Sequence, residues 1–175
     1  MPVDSQRFDD IDTEFKKLMT KLAKTPNVVR ATNVDGLADQ LEIIQGQLSL
    51  CEKALAEYLE TKRLAFPRFY FASSNDLLDI LSNGNQPIKV SKHLTKLFDS
   101  MAKLHLRPKN PKKPVPMKAG QEDPEFLSNT AYAMSAKDGE YVEFNVDCLC
   151  EGQVEVWLNR LMSTMRSTIR YGIIF

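Results

Sequence analysis

The sequence predicts a mainly α protein, an elongated helical bundle that carries a short β-hairpin. Three observations point there. Apolar residues recur at steps of three and four through most of the first hundred positions, prolines and an Asn-Gly pair cut that pattern into helix-length pieces, and two strand-like runs flank an Asp-Gly pair further on. At 175 residues, 43% hydrophobic and 26% charged, the chain is large enough for one domain with a real core and has an ordinary globular mix.

The first helix is predicted from about Asp4 to Lys24, with Ile11, Phe15, Leu18 and Leu22 on one face. Thr25-Pro26 stops it, because the residue before a proline is pushed out of the helical region. A second helix, about 36–64, carries Leu37, Leu41, Ile44, Leu48, Cys51, Leu55 and Tyr58 at alternating steps of four and three. It would be about 45 Å long. Ile43 and Leu50 add a second apolar column outside a narrow coiled-coil seam, so this helix is expected to be buried on two sides. Gly46 lies inside it at a cost of about 1 kcal/mol relative to alanine, which a close neighbour would explain.

Pro67 ends the long helix, and Arg68-Phe69-Tyr70-Phe71 is expected to be extended, with Phe69 and Phe71 on one face and Arg68 and Tyr70 on the other. Ser73 or Ser74 caps the short helix Asn75-Asp76-Leu77-Leu78-Asp79-Ile80-Leu81, which Asn83-Gly84 closes. Pro87 suits the first turn of a further helix with Val90, Leu94, Leu97, Met101 and Leu104 in one stripe. Residues 107–130, with five prolines and no sustained period, read as a surface loop. A hairpin about Lys137-Asp138-Gly139 follows, and Gly152 precedes a last helix with Val154, Trp157, Leu161, Met165 and Ile169 on one side. The expected division is therefore 1–106, 107–130 and 131–175.

Several function classes lose support on residues alone. Lys plus Arg and Asp plus Glu both total 23, so no global basic field draws nucleic acid. No apolar run is long enough to span a bilayer, the amino terminus lacks a secretory pattern, and three cysteines do not make a disulfide framework. A soluble intracellular protein without nucleic-acid or membrane partners is expected. None of the glycines opens a G-x-x-x-x-G-K-[ST] or G-x-G-x-x-G phosphate cradle.

Candidate reactive groups are also weak. Cys148 and Cys150 supply two of the four ligands of a structural zinc, and neither His93 nor His105 stands at finger spacing, so no metal is expected. Asp9, Asp10, Asp12 and Glu14 suit the first turns of a helix through its macrodipole. Lys109, Lys112, Lys113 and Lys118 make the proline-rich loop basic and able to touch an acidic surface such as tubulin, although lysines also simply keep such loops soluble. Four aromatic rings at Phe66, Phe69, Tyr70 and Phe71 would stack on bases only from an exposed, basic sheet face. Set between two apolar helices, they form a core joint, and Arg68 then needs a carboxylate or carbonyl partner.

The run CEKALAEYLETKRLAFPRFYFASSNDLLDILSNG, Cys51 to Gly84, closely resembles the start of the linker region of dynein heavy chains, with KRLAFPRFYF at its centre. CLCEGQVEVWLNRLM, Cys148 to Met162, resembles the helix start after the linker hairpin, and the likeness extends over most of Lys24 to Arg170. The wording is most similar to axonemal heavy chains of the outer-arm beta class.

The resemblance implies a fold of the dynein linker type. It implies a non-catalytic lever that lies across an AAA+ ring of the same heavy chain and couples ATP-driven changes there to minus-end-directed microtubule movement in cilia or flagella. Its partners would be that ring, intermediate and light chains through the tail, and microtubules indirectly. ATP and magnesium would belong to the parent motor ATPase, with no cofactor, catalytic residue or metal in this chain. Arg63, Phe66, Pro67, Arg68, Phe69, Tyr70, Phe71 and Asp76 would form the family's structural joint. The chain would be truncated before the rest of the linker. A free-standing linker-like interaction module that binds a protein partner is the alternative.

Overall fold

The computed structural model describes residues 2–25, 27–118 and 121–174, and the chain divides into one unit up to Glu60 and a second from Thr61. It is mostly helical, with a small antiparallel sheet. No helix among the described residues is long and apolar enough to cross a membrane.

The first unit is a helical hairpin. Helix α1, Pro2–Ala23, leads through the short α2, Val28–Thr32, into the long α3, Leu37–Ala65. Asn27 caps α2 by accepting from the Arg30 amide, and Gly36 takes φ +76°, a left-handed turn suited to glycine, just before α3. Ile11 and Leu18 of α1 bury against Leu37 and Ile44 of α3, with Leu22 and Cys51 packed beside them. The Cys51 thiol lies 4.0 Å from the Asp4 carbonyl, so the start of α1 stands beside the middle of α3.

Both predicted helices are therefore present, but the long one is not buried on two sides within this unit. Leu41, Ile43, Leu48 and Leu50 are all exposed. Two helices share one seam, and a single seam can cover only one side of each. Gly46 has no close neighbour among the described residues either: a Cβ there would meet nothing within 4 Å.

In the second unit, α3 ends at Ala65 and the chain passes through Phe66 into a 3-10 turn, Pro67–Phe71. The expected extended segment is thus corrected. Phe69 N donates to Phe66 O at 3.0 Å and Ala72 N to Phe69 O at 3.1 Å. A three-residue period puts Phe66 and Phe69 on the same side. Both are 0% exposed, whereas Phe71 is 72% exposed and Tyr70 is also exposed.

Helix α4, Ser74–Ser82, is followed by α5, Pro87–Val90, a 3-10 turn at Ser91–His93 and α6, Leu94–Leu97. The single helix expected after Pro87 is interrupted and stops there. Phe98 is extended and Ser100 adopts φ +63°, where Asp99 Oδ1 accepts from its amide at 3.0 Å. Met101 and Leu104 belong instead to strand β1, Met101–Pro108. Their spacing of three looks helical because the ladder shifts register between Met101 and Lys103, which brings both side chains to the buried face.

Two further expectations change with that strand. Residues 107–130 are not one loop: a small β2–β3 pair, Met117–Lys118 with Gln121–Glu122, and a 3-10 turn at Pro124–Phe126 precede β4, Leu127–Ala136. The hairpin partner β5, Tyr141–Leu149, lies on the other side of β4, giving the order β1-β4-β5. Gly139, at φ +94°, makes the predicted turn, and Gly152, at φ +91°, precedes the last helix α7, Val154–Ile174. Val154, Trp157, Leu158 and Leu161 are buried, while Ile169 is exposed.

Candidate functional site

The joint at the end of α3 draws on the 3-10 turn, α4, α6 and α7. Lys62, on the last turns of α3, sends Nζ to within 2.5 Å of Glu155 Oε1 at the start of α7. Both side chains are largely buried, so the pair is held in a low-dielectric setting. One turn further on, Asn159 donates from Nδ2 to Ala65 O at 3.0 Å and to Glu155 O at 2.9 Å. The final carbonyls of a helix lack intrahelical partners, and Asn159 satisfies one of them while marking where α3 stops. Trp157 Nε1 donates to Gly84 O at 3.0 Å. A Cβ on Gly84 would lie 3.2 Å from that of Val154, so glycine lets the end of α4 approach α7 closely.

The aromatic core forms around Phe66. Its ring meets Phe69 edge to face at 5.0 Å and Phe98 at 6.4 Å. Arg68 donates from Nη1 to Leu97 O at 2.8 Å, and its guanidinium sits 4.8 Å from the Phe98 ring centre. A carbonyl is therefore what holds Arg68, and it is the last helical carbonyl of α6. Arg63 reaches Ser74 Oγ at 3.3 Å and lies 5.9 Å from the Tyr70 ring.

Ser73 caps α4, accepting from the Asp76 amide at 3.2 Å and donating to Asp76 Oδ2 at 2.7 Å. Lys96 also binds Asp76, at 2.7 Å. Hydrogen bonds from Lys96 and then Ser73 hold the Asp76 carboxyl down to about 2. His93 joins the group, with Nε2 2.7 Å from Asp79 Oδ2 and Nδ1 3.6 Å from Asp76 Oδ1. A polar clamp thus ties α4 to the α5–α6 segment.

All eight residues expected at the joint, Arg63, Phe66, Pro67, Arg68, Phe69, Tyr70, Phe71 and Asp76, lie in this region, but they do not form one buried cluster. Phe66 and Arg68 face Phe98 and Phe69 packs on Phe66, whereas Asp76 belongs to the clamp and Tyr70 and Phe71 are exposed. Lys62, Glu155, Asn159 and Lys96 also make contacts there and were not anticipated. None of the four had a local signal in the sequence, because each meets its partner across twenty or more residues of chain.

Cys148 and Cys150 are free and buried at the end of β5, and Cys150 Sγ donates to Cys148 O at 3.6 Å. The hydrogen bond from Cys150, then Thr164 and the charge of Arg160, draws Cys148 down to about 7, while the same contact and burial push Cys150 up. His105 meets Ser135 at 2.5 Å and packs edge to face on Tyr141 at 5.3 Å. Among the described residues no group of three or more His, Cys, Asp or Glu could hold a metal ion.

The joint thus combines one helix end, a buried aromatic turn and ion pairs between elements. The family model for "Dynein heavy chain, N-terminal region 2" matches residues 1–174. The chain belongs to that dynein heavy chain family. It is 59% identical over 170 residues to the ciliary dynein beta chain of Heliocidaris crassispina, covering 97% of this chain and 4% of that protein. It is 56% identical over 173 residues to dynein axonemal heavy chain 17 of Homo sapiens, covering 99% of this chain and 4% of the relative. Against the flagellar outer-arm beta chain of Chlamydomonas reinhardtii the identity is 45% over 170 residues, covering 97% of this chain and 3% of that protein. The dynein segment here thus spans about one twenty-fifth of the length of such relatives.

Proposed function

We propose that this dynein heavy chain segment is a non-catalytic mechanical linker element, which carries force between an AAA+ ring and a tail in an axonemal motor. The observation that carries the reading is the bracing of the α3 end by α7, through Lys62–Glu155 and Asn159–Ala65. A helix transmits bending only if its end cannot swivel, and two polar contacts one turn apart on α7, flanked by a buried aromatic turn, oppose swivelling. The names of the relatives, ciliary, axonemal and flagellar, support a cytoskeletal setting in a cilium or flagellum.

In this reading ATP and magnesium act in the ring, which lies outside these residues. Intermediate and light chains join through the tail, and microtubules are engaged indirectly. The linker-type bundle is the fold that this role requires, and the helical part of the second unit is its joint.

The test is a full-length axonemal heavy chain carrying Lys62→Met. Gliding velocity is expected to fall while basal ATP turnover persists, because the brace is lost and the catalytic ring is not. Unchanged gliding, or parallel loss of ATP turnover and gliding, would overturn the reading. Magnesium-dependent ATP turnover by the 175-residue chain alone would equally sink its non-catalytic part.

A further inference from the structure

The first unit leaves a groove on one side of its helical hairpin. At one end Phe8 of α1 faces Leu48 and Leu55 of α3 across a depression of about 590 Å³, with Asp4, Asp9 and Glu52 on its rim. Phe8 is 52% exposed and Leu48 41% exposed. Neither belongs to the buried seam of Ile11, Leu18, Leu37 and Ile44.

These groove residues repeat at helical spacing. Phe8 and Phe15 are seven positions apart on α1, and Leu41, Leu48 and Leu55 are seven apart on α3. Seven residues are close to two turns, so each set forms a column beside the closed seam. Phe15 and Leu41 are exposed like Phe8 and Leu48. Two parallel apolar columns on adjacent helices are the walls of a slot for a third helix.

Charge selects the occupant. The rim is acidic at Asp4, Asp9 and Glu52, and the nearby cation Arg7 is already paired with Asp4 at 3.1 Å. The overall neutrality of the chain conceals this, because the first sixty residues carry 11 acids against 7 bases and the remainder 12 against 16. An anionic bilayer or nucleic acid would be repelled by such a rim. We propose that the α1–α3 groove docks an amphipathic helix of a partner protein, with an apolar stripe between the walls and lysine or arginine flanks on the rim.

The whole 175-residue chain can be titrated by fluorescence anisotropy with two synthetic helical peptides. They share one leucine stripe, with lysine flanks in one and glutamate flanks in the other. The lysine peptide is expected to bind, the glutamate peptide to bind roughly tenfold more weakly or worse, and added salt to narrow the gap. Leu48→Asp should weaken the lysine peptide roughly tenfold or more, whereas Ile43→Asp, on the other side of α3, should leave it unchanged. Both positions are exposed, and helical circular dichroism of each variant is the check that it folds. Equal affinity for the two peptides, no binding of either, or indifference to Leu48→Asp would overturn the proposal. A concentration-dependent dimer abolished by Leu48→Asp would assign the groove to a second copy of this chain and overturn it as well.

Discussion

Lys62 and Glu155, 93 residues apart in sequence, meet at 2.5 Å as an ion pair that is mostly withdrawn from water. Such a pair is weak as a source of net stability and costly to break singly, because the survivor is left as an uncompensated buried charge. Lys62→Met or Glu155→Leu alone should destabilise the second unit by about 3 kcal/mol. The double substitution should recover most of that loss. Urea unfolding of the four proteins gives the comparison, and additive losses would contradict it.

The two ends of the aromatic turn should behave oppositely. Phe69→Ala removes a fully buried ring and should cost about 3–5 kcal/mol. Phe71→Ala, at an exposed ring, should change stability by less than about 0.5 kcal/mol. Equal effects in urea melts would mean that the extended arrangement, with both rings on one face, is the true one.

Arg68 holds a helix-end carbonyl and covers a ring at once. Lysine has the charge but not the planar fork, so Arg68→Lys should not restore the wild-type state. A loss of about 1–3 kcal/mol is expected for Arg68→Lys, with Arg68→Met at least as damaging. Thermal unfolding monitored at 222 nm would detect both.

Asp76 makes the clamp sensitive to acid. Its carboxyl is held at about 2 against an ordinary value of 3.8, so the unfolded chain takes up the proton first as pH falls. The stability that Asp76 contributes is fully present above pH 3.8 and disappears as pH drops toward about 2. Asp76→Asn should flatten the acid limb of the stability profile over that window and leave its shape near neutrality unchanged. NMR titration of the carboxyl carbon checks the shifted midpoint directly.

Gly46 stands in a long helix, and apart from its chain neighbours and the adjoining helix backbone no described residue lies within 4 Å of where its Cβ would be. Alanine there loses no contact and reduces the entropy of the unfolded chain, so Gly46→Ala should stabilise the first unit by about 1 kcal/mol. A loss instead, seen in thermal melts of the full chain, would show that a neighbour needs the gap.

The long helix, the Ser73 cap, the turn at Gly139 and the start of α7 after Gly152 were all legible, because each depends on local spacing, capping chemistry or a backbone conformation that few residues accept. The strand β1 was not, since its bulge gives Met101 and Leu104 a helix-like interval. The 3-10 turn at Pro67–Phe71 was not either: one proline fits an extended run and a tight turn equally, and the choice lay with burial of Phe66 and Phe69 together.

By itself the sequence determined the helical periods of α1, α3, α4 and α7 and the dynein heavy chain likeness. These are carried by neighbours in the chain, whose geometry is set within a turn or two. Only the tertiary structure decided what the joint is made of. Lys62 finds Glu155, Arg68 finds Leu97 and Asp76 finds Lys96 across 93, 29 and 20 residues of chain. Pairing over such distances leaves no local pattern, because it depends on where packing brings the elements together.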